Sequence, residues 1–127
     1  MKTTPFRMTP DVIRNVVQKN RPGVYVLGDE QDGRFLIRYV GRSDHCLQTR
    51  LLTHRLLYCC QYFIFSYTDT AKEAFALESK WWHDCRNNRV PLLNVIHPDS
   101  PSGKNLCCPY CQFRREVKEY LPQLKVS

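Results

Sequence analysis

Two tyrosines, each close to a glycine, stand near the two ends of one stretch of this chain: Gly23-Val24-Tyr25 opens it and Tyr39-Val40-Gly41 comes near its close at Arg50. A phenol titrates at about pH 10 when unperturbed, so at neutral pH it takes a proton only where a nearby cation favours phenolate. Arg38 and Arg42 are the cations at hand in the sequence. Arg50 adds a planar guanidinium whose fork matches phosphate oxygens and whose charge persists at every accessible pH. His54 follows at helical spacing from Arg50, as either a proton shuttle or a satisfied structural histidine. Glu78 is the one acid of Ala76-Leu77-Glu78-Ser79-Lys80-Trp81-Trp82. Taken alone it is a surface glutamate paired with Lys72 or Lys80, or a carboxylate at the rim of a core, where a hard cation could use it. Asn94, in the apolar run Leu92 to Ile96, satisfies its amide on backbone groups or orients a neighbour.

Cys107, Cys108 and Cys111 form a separate group. Cys108-Pro109-Tyr110-Cys111 has the spacing with which one tight turn presents two thiolates to a metal ion. A structural zinc site needs two more ligands, for which Cys59, Cys60, Cys85 and His97 are the candidates. Structural zinc, free thiols, and an iron–sulfur cluster or redox pair stand as three readings of these cysteines.

These residues need elements to hold them. Gly28, Asp29, Asp32 and Gly33 carry turn chemistry between the two tyrosine segments, which predicts a β-hairpin with a loop of several residues. Side-chain alternation puts Tyr25 on a face with Leu27, and Tyr39 on a face with Ile37 and Phe35. Thr9-Pro10-Asp11 reads as a helix start, continued by Val12, Ile13, Val16 and Val17. Ser43 or Asp44 is expected to cap a helix running through Leu47, Arg50, Leu51, His54 and Leu57, with Arg50 and His54 on one face. Tyr62 to Tyr67 reads as the third strand. Thr70 and Glu73 form a capping-box pattern ahead of a helix from about Ala71 to Arg86, with Ala74, Leu77 and Trp81 as its apolar stripe. Arg89 to Pro98 is an extended closing piece, followed by a Cys-containing turn and a short charged helix, Gln112 to Tyr120. The fold class is α/β, a small, mainly antiparallel three-stranded sheet flanked by helices. Residues 1–100 form the main domain and 101–127 the C-terminal appendage.

Length and composition bound the rest. The chain has 127 residues, 43% hydrophobic and 24% charged, enough for one ordinary core. Lys+Arg 19 against Asp+Glu 12 gives a formal charge of +7, which favours a polyanionic partner. Seven cysteines is an odd count, and MKTTPFRMTP lacks the apolar core of a signal peptide, so a reducing cytoplasm is expected rather than a disulfide framework. No apolar run approaches the roughly 18 residues that span a membrane.

The ordered set of Gly-Val-Tyr, Tyr-Val-Gly, an arginine on the next helix and a lone glutamate on a later one resembles the GIY-YIG nuclease superfamily, over roughly residues 20 to 98. The resemblance implies a metal-dependent endonuclease that hydrolyses phosphodiester bonds in DNA, with RNA open as an alternative substrate. It implies Glu78 as ligand of a Mg²⁺ or Mn²⁺ ion, Tyr25 or Tyr39 as activator of the attacking water, and Arg50 as phosphate clamp with Arg42 beside it. His54 and Asn94 are then supporting residues of the catalytic centre. Members usually depend on a separate recognition domain, so the chain is expected to act on structured or loosely specified DNA, to depend on a protein partner, or to self-assemble. A non-cleaving nucleic-acid-binding module of the same fold and a zinc-stabilised protein-interaction domain are the alternatives.

Overall fold

The computed structural model describes residues 4–93, which form strand β1 (Phe6–Arg7), helix α1 (Pro10–Val16), strands β2 (Gly23–Gln31) and β3 (Arg34–Ser43), helix α2 (Leu47–Leu52), strand β4 (Tyr62–Tyr67) and helix α3 (Ala71–Asn87). Asn94, His97, the three cysteines from Cys107 to Cys111 and the expected C-terminal helix lie outside the described residues. The sheet has four strands, not three, in the order β1-β4-β2-β3, and every pairing is antiparallel. The extra strand is β1, which pairs Phe6 with Phe63 and Arg7 with Tyr62. Two residues are too few to show an alternating pattern, which is why the sequence does not announce it.

The hairpin is tighter than expected. Gln31 pairs with Arg34, so the turn is Asp32-Gly33 alone. Both residues have positive φ, 55° and 77°, the two-residue turn whose twist matches that of its flanking strands. Gly28 and Asp29 belong to β2 rather than to the loop. There the register slips: Leu27 pairs with Tyr39 but Gly28 with Ile37, leaving Arg38 as an extra residue on β3. The bulge turns Tyr39 away from Phe35 and Ile37, contrary to simple alternation. Tyr39 packs with Tyr25, Leu27 and Phe63, while Phe35 and Ile37 pack on the opposite face with Val26, Val40 and Trp82. The Arg38 carbonyl is taken by the Leu93 N–H at 2.6 Å, which ties the end of the described chain to this edge.

Helices cover both faces. Ile13 and Val17 join Leu47 and Leu51 over the Tyr25 face. Trp82, Cys85 and Leu92 cover the Val26 face. Thr9 caps α1 by accepting from the Val12 N–H, and Thr70 caps α3 by accepting from the Glu73 N–H, both as their sequence positions predict. The Glu73 carboxylate reaches back to the Asp69 N–H at 3.1 Å.

Two helix expectations change. First, α2 ends at Leu52, so His54 lies beyond it, and its cap position is Cys46 rather than Ser43 or Asp44. Second, the buried residues of α3 include Ala74, Phe75, Glu78, Trp82 and Cys85, while Leu77 and Trp81 are half-buried. Glu78 therefore sits within the packed stripe instead of beside it. Among the described residues no helix is long and apolar enough to cross a membrane.

Candidate active site

The edge strand β3 carries the site. Opposite Tyr25 on β2 stands Gly41 on β3, and a Cβ built on that glycine would lie 2.5 Å from both Cζ and the hydroxyl oxygen of Tyr25. Only the missing side chain lets the Tyr25 ring lie across the strand. Tyr39, two residues earlier, stacks beside it with ring centroids 6.1 Å apart and planes 8° from parallel. The hairpin register thus brings the two rings together.

From the other face α3 contributes Glu78, which is 7% exposed. Arg42 on β3 donates from Nη1 to its Oε1 at 2.6 Å and from Nε to Asp44 Oδ1 at 2.8 Å. The guanidinium also lies over the Phe75 ring, with Cζ 5.3 Å from the centroid. Of the two readings of Glu78, the surface pairing with Lys72 or Lys80 is absent among the described residues, and Arg42 takes that place. Burial drives the Glu78 carboxyl up to about 7, with Asp44 adding to the rise while Arg42 and Arg50 hold it down. Arg42 keeps its proton more firmly than usual, because its bonds to Asp44 and Glu78 outweigh the effect of burial.

A cavity of about 320 Å³ opens between these groups, lined by Tyr25, Tyr39, Gly41, Arg42, Ser43, Asp44, His45, Arg50 and Glu78. Of the residues singled out in the sequence, Tyr25, Tyr39, Arg42, Arg50 and Glu78 are thus brought together. Arg50 is exposed at this cavity and makes no ion pair among the described residues. Burial pushes the Tyr25 hydroxyl far above the usual phenol range; Tyr39 and Glu78 add to this, and Arg50 opposes it. The neighbouring Tyr39 hydroxyl also favours the protonated form of Tyr25.

His54 does not line the cavity. Its ring packs edge-on against Tyr39 at 4.7 Å and Tyr25 at 5.5 Å between centroids. Its Nδ1 accepts from the Leu56 N–H at 3.1 Å, so the neutral ring carries its proton on Nε2. Burial, helped by Arg50 and Arg55, lowers it to about 4. His54 is therefore uncharged at neutral pH and supports the tyrosine rings from behind.

Asp44, Ser43 and His45 were not singled out as site residues by sequence reasoning. The sequence held one signal for Asp44: it lies two residues after Arg42, the spacing that puts two side chains on one face of an extended chain.

No group of three or more His, Cys, Asp or Glu side chains gathers as a metal site among the described residues. The cavity instead offers two carboxylates, Glu78 and Asp44, each with one oxygen engaged by Arg42. That donor set suits a hard cation that keeps most of its waters. Of the zinc-ligand candidates, Cys60 belongs to the core beneath α1 and α2 and Cys85 to the core beneath α3, so they lie on opposite sides of the sheet. They cannot serve one ion together. Comparisons with protein-family models, curated proteins and solved structures return no match.

Proposed function

We propose that this protein is a metal-dependent endonuclease of the GIY-YIG type, hydrolysing phosphodiester bonds in DNA. The observation that carries the reading is the shared cavity: Tyr25, Tyr39, Arg42, Arg50 and Glu78 come from two strands and two helices and line one hollow. Charge supports it. Glu78 and Asp44 both engage Arg42, which leaves the exposed Arg50 guanidinium, without an ion pair among the described residues, to meet a phosphate.

Glu78, with Asp44 near it, would hold a Mg²⁺ or Mn²⁺ ion. Bound there, such an ion supplies Lewis-acid polarisation of the phosphate and eases deprotonation of water. Every other role falls to the chain. Arg50, exposed and without an ion pair among the described residues, grips the phosphate. Arg42, fixed by Asp44, opposes the rise that burial imposes on the Glu78 carboxyl, which still reaches about 7. Tyr25, which stays protonated beside Tyr39, is the phenol able to donate a hydrogen bond to a Tyr39 phenolate and so favour it. To act as base Tyr39 must be the phenolate; it then takes the proton from the attacking water and becomes the neutral phenol, with Arg50 at the same cavity. Gly41 leaves the room this pair requires. His54 holds both rings without changing its own charge.

One observation favours the alternative of a module that binds nucleic acid without cutting it: Arg42 already engages the carboxylate that a metal would use. Incubating the protein with linear, branched and single-stranded DNA and with RNA, under Mg²⁺, Mn²⁺ or EDTA, separates the two. Metal-dependent cleavage of DNA is expected. Salt-sensitive binding with no cleavage under any metal would identify the binding module.

A further inference from the structure

The loop joining α2 to β4 carries a feature for which the cleavage chemistry has no use. Tyr58 is 86% exposed, and no other aromatic side chain among the described residues is exposed to that extent. A single exposed apolar residue is ordinary. What sets Tyr58 apart is how firmly its backbone is held. The Leu57 N–H donates to the His54 carbonyl at 3.0 Å, and the Cys59 and Cys60 N–H groups both donate to the Leu56 carbonyl, at 3.0 and 3.1 Å. The side chains of Leu57 and Cys60 enter the same core as Tyr25. Arg55, Tyr58 and Cys59 are left facing outward. A ring on a loop already ordered loses little conformational freedom when something stacks on it.

Charge indicates what would do so. No acidic residue occurs between Asp44 and Asp69, and within that span Arg50 and Arg55 are both exposed. The turn from His54 to Leu57 keeps those Cα atoms within about 7 Å, so Tyr58 is no more than about 11 Å from His54. The His54 ring in turn touches both cavity tyrosines. The distance from His54 to Tyr58 is within the reach of a few nucleotides of a strand with a phosphate at Arg50.

We infer that Tyr58, with Arg55 beside it, is a stacking platform for an unpaired base of the bound strand, so the favoured substrate is DNA with a single-stranded segment next to the cut. The inference rests on the cavity being a phosphate site. Bases in a duplex hide their faces in the stack, whereas an unpaired base offers a face to an open aromatic ring.

The test uses the full chain in EDTA, so that binding is read apart from cleavage. The probe is a DNA flap with 2-aminopurine in its single strand near the junction, set against a fully paired duplex. Wild type and Tyr58→Phe are expected to quench the probe, and Tyr58→Ala is not. Tyr58→Ala should bind the flap about tenfold more weakly and the duplex as before, with an unchanged melting temperature. The inference is overturned if Tyr58→Ala binds the flap like wild type, or loses both DNAs equally. It is equally overturned if the wild type self-associates through this face and Tyr58→Ala abolishes the association. Quenching without cleavage when Mg²⁺ is added would keep the platform and remove the nuclease, and cleavage without quenching would do the reverse.

Discussion

The Arg42 guanidinium and the Glu78 carboxylate meet at 2.6 Å between the edge strand and the last described helix, with both side chains largely buried. A buried ion pair adds little net stability as a pair, but removing one partner strands the other. Arg42→Met is therefore expected to destabilise the fold by about 3 kcal/mol at pH 8. Adding Glu78→Gln should recover part of that loss, since the stranded charge is then gone. Urea unfolding of the two single variants and the double variant measures the coupling. Strictly additive effects would mean that the contact carries no energy.

Glu78 also gives stability a pH dependence of known sign. Its carboxyl is raised from 4.5 to about 7 in the fold. Between those values the folded protein binds a proton that the unfolded chain has released, so stability falls as pH rises, by up to about 3 kcal/mol in all. His54 works the other way: lowered from 6.5 to about 4, it costs stability as pH falls through that range. The two offset each other over much of the acid range, so the informative quantity is the difference between wild type and Glu78→Gln. That difference should grow from pH 4.5 to 7 and then level off; parallel curves would contradict the raised carboxyl.

The two phenols should not be equivalent. Tyr25 is held protonated by burial, so Tyr25→Phe removes only a neutral hydroxyl beside Tyr39, whereas Tyr39→Phe removes the proposed base. Tyr39→Phe is expected to lower the single-turnover cleavage rate by about 10²-fold or more, and Tyr25→Phe by about tenfold. The reverse order would assign the proton transfer to Tyr25.

Gly41→Ala tests the packing that brings the phenols together. The added methyl would overlap the Tyr25 ring, and relieving it costs about 1–3 kcal/mol. Thermal unfolding should show that loss, with cleavage falling further than stability alone explains. An Ala variant with the stability and rate of the parent would mean the ring has another place to lie.

Features written in neighbouring residues are legible in the sequence. Thr9-Pro10 and Thr70 with Glu73 specify caps through contacts three residues apart, and both form. Tyr25, Tyr39, Arg42, Arg50 and Glu78 were picked out by residue type and order, and they share a cavity. What alternation could not show was the bulge at Arg38, because one inserted residue reverses the facing of everything after it. That slip puts Tyr39 beside Tyr25 rather than among Phe35, Ile37 and the tryptophans of α3. The early end of α2 and the two-residue strand β1 depend on contacts with distant segments and leave no local mark. Glu78 was read as a rim residue because Leu77 and Trp81 drew the apolar stripe to themselves; burial runs instead through Phe75, Glu78 and Trp82.

The most direct measurement is nicking of supercoiled plasmid by wild type and Glu78→Ala, each with Mg²⁺ and with EDTA, alongside their affinities for the same DNA. The wild type should nick only with metal, and Glu78→Ala should bind the plasmid yet leave it closed under both conditions. Glu78→Ala cutting as fast as the parent, or a wild type that cuts equally well in EDTA, would contradict a metal-dependent reaction centred on Glu78.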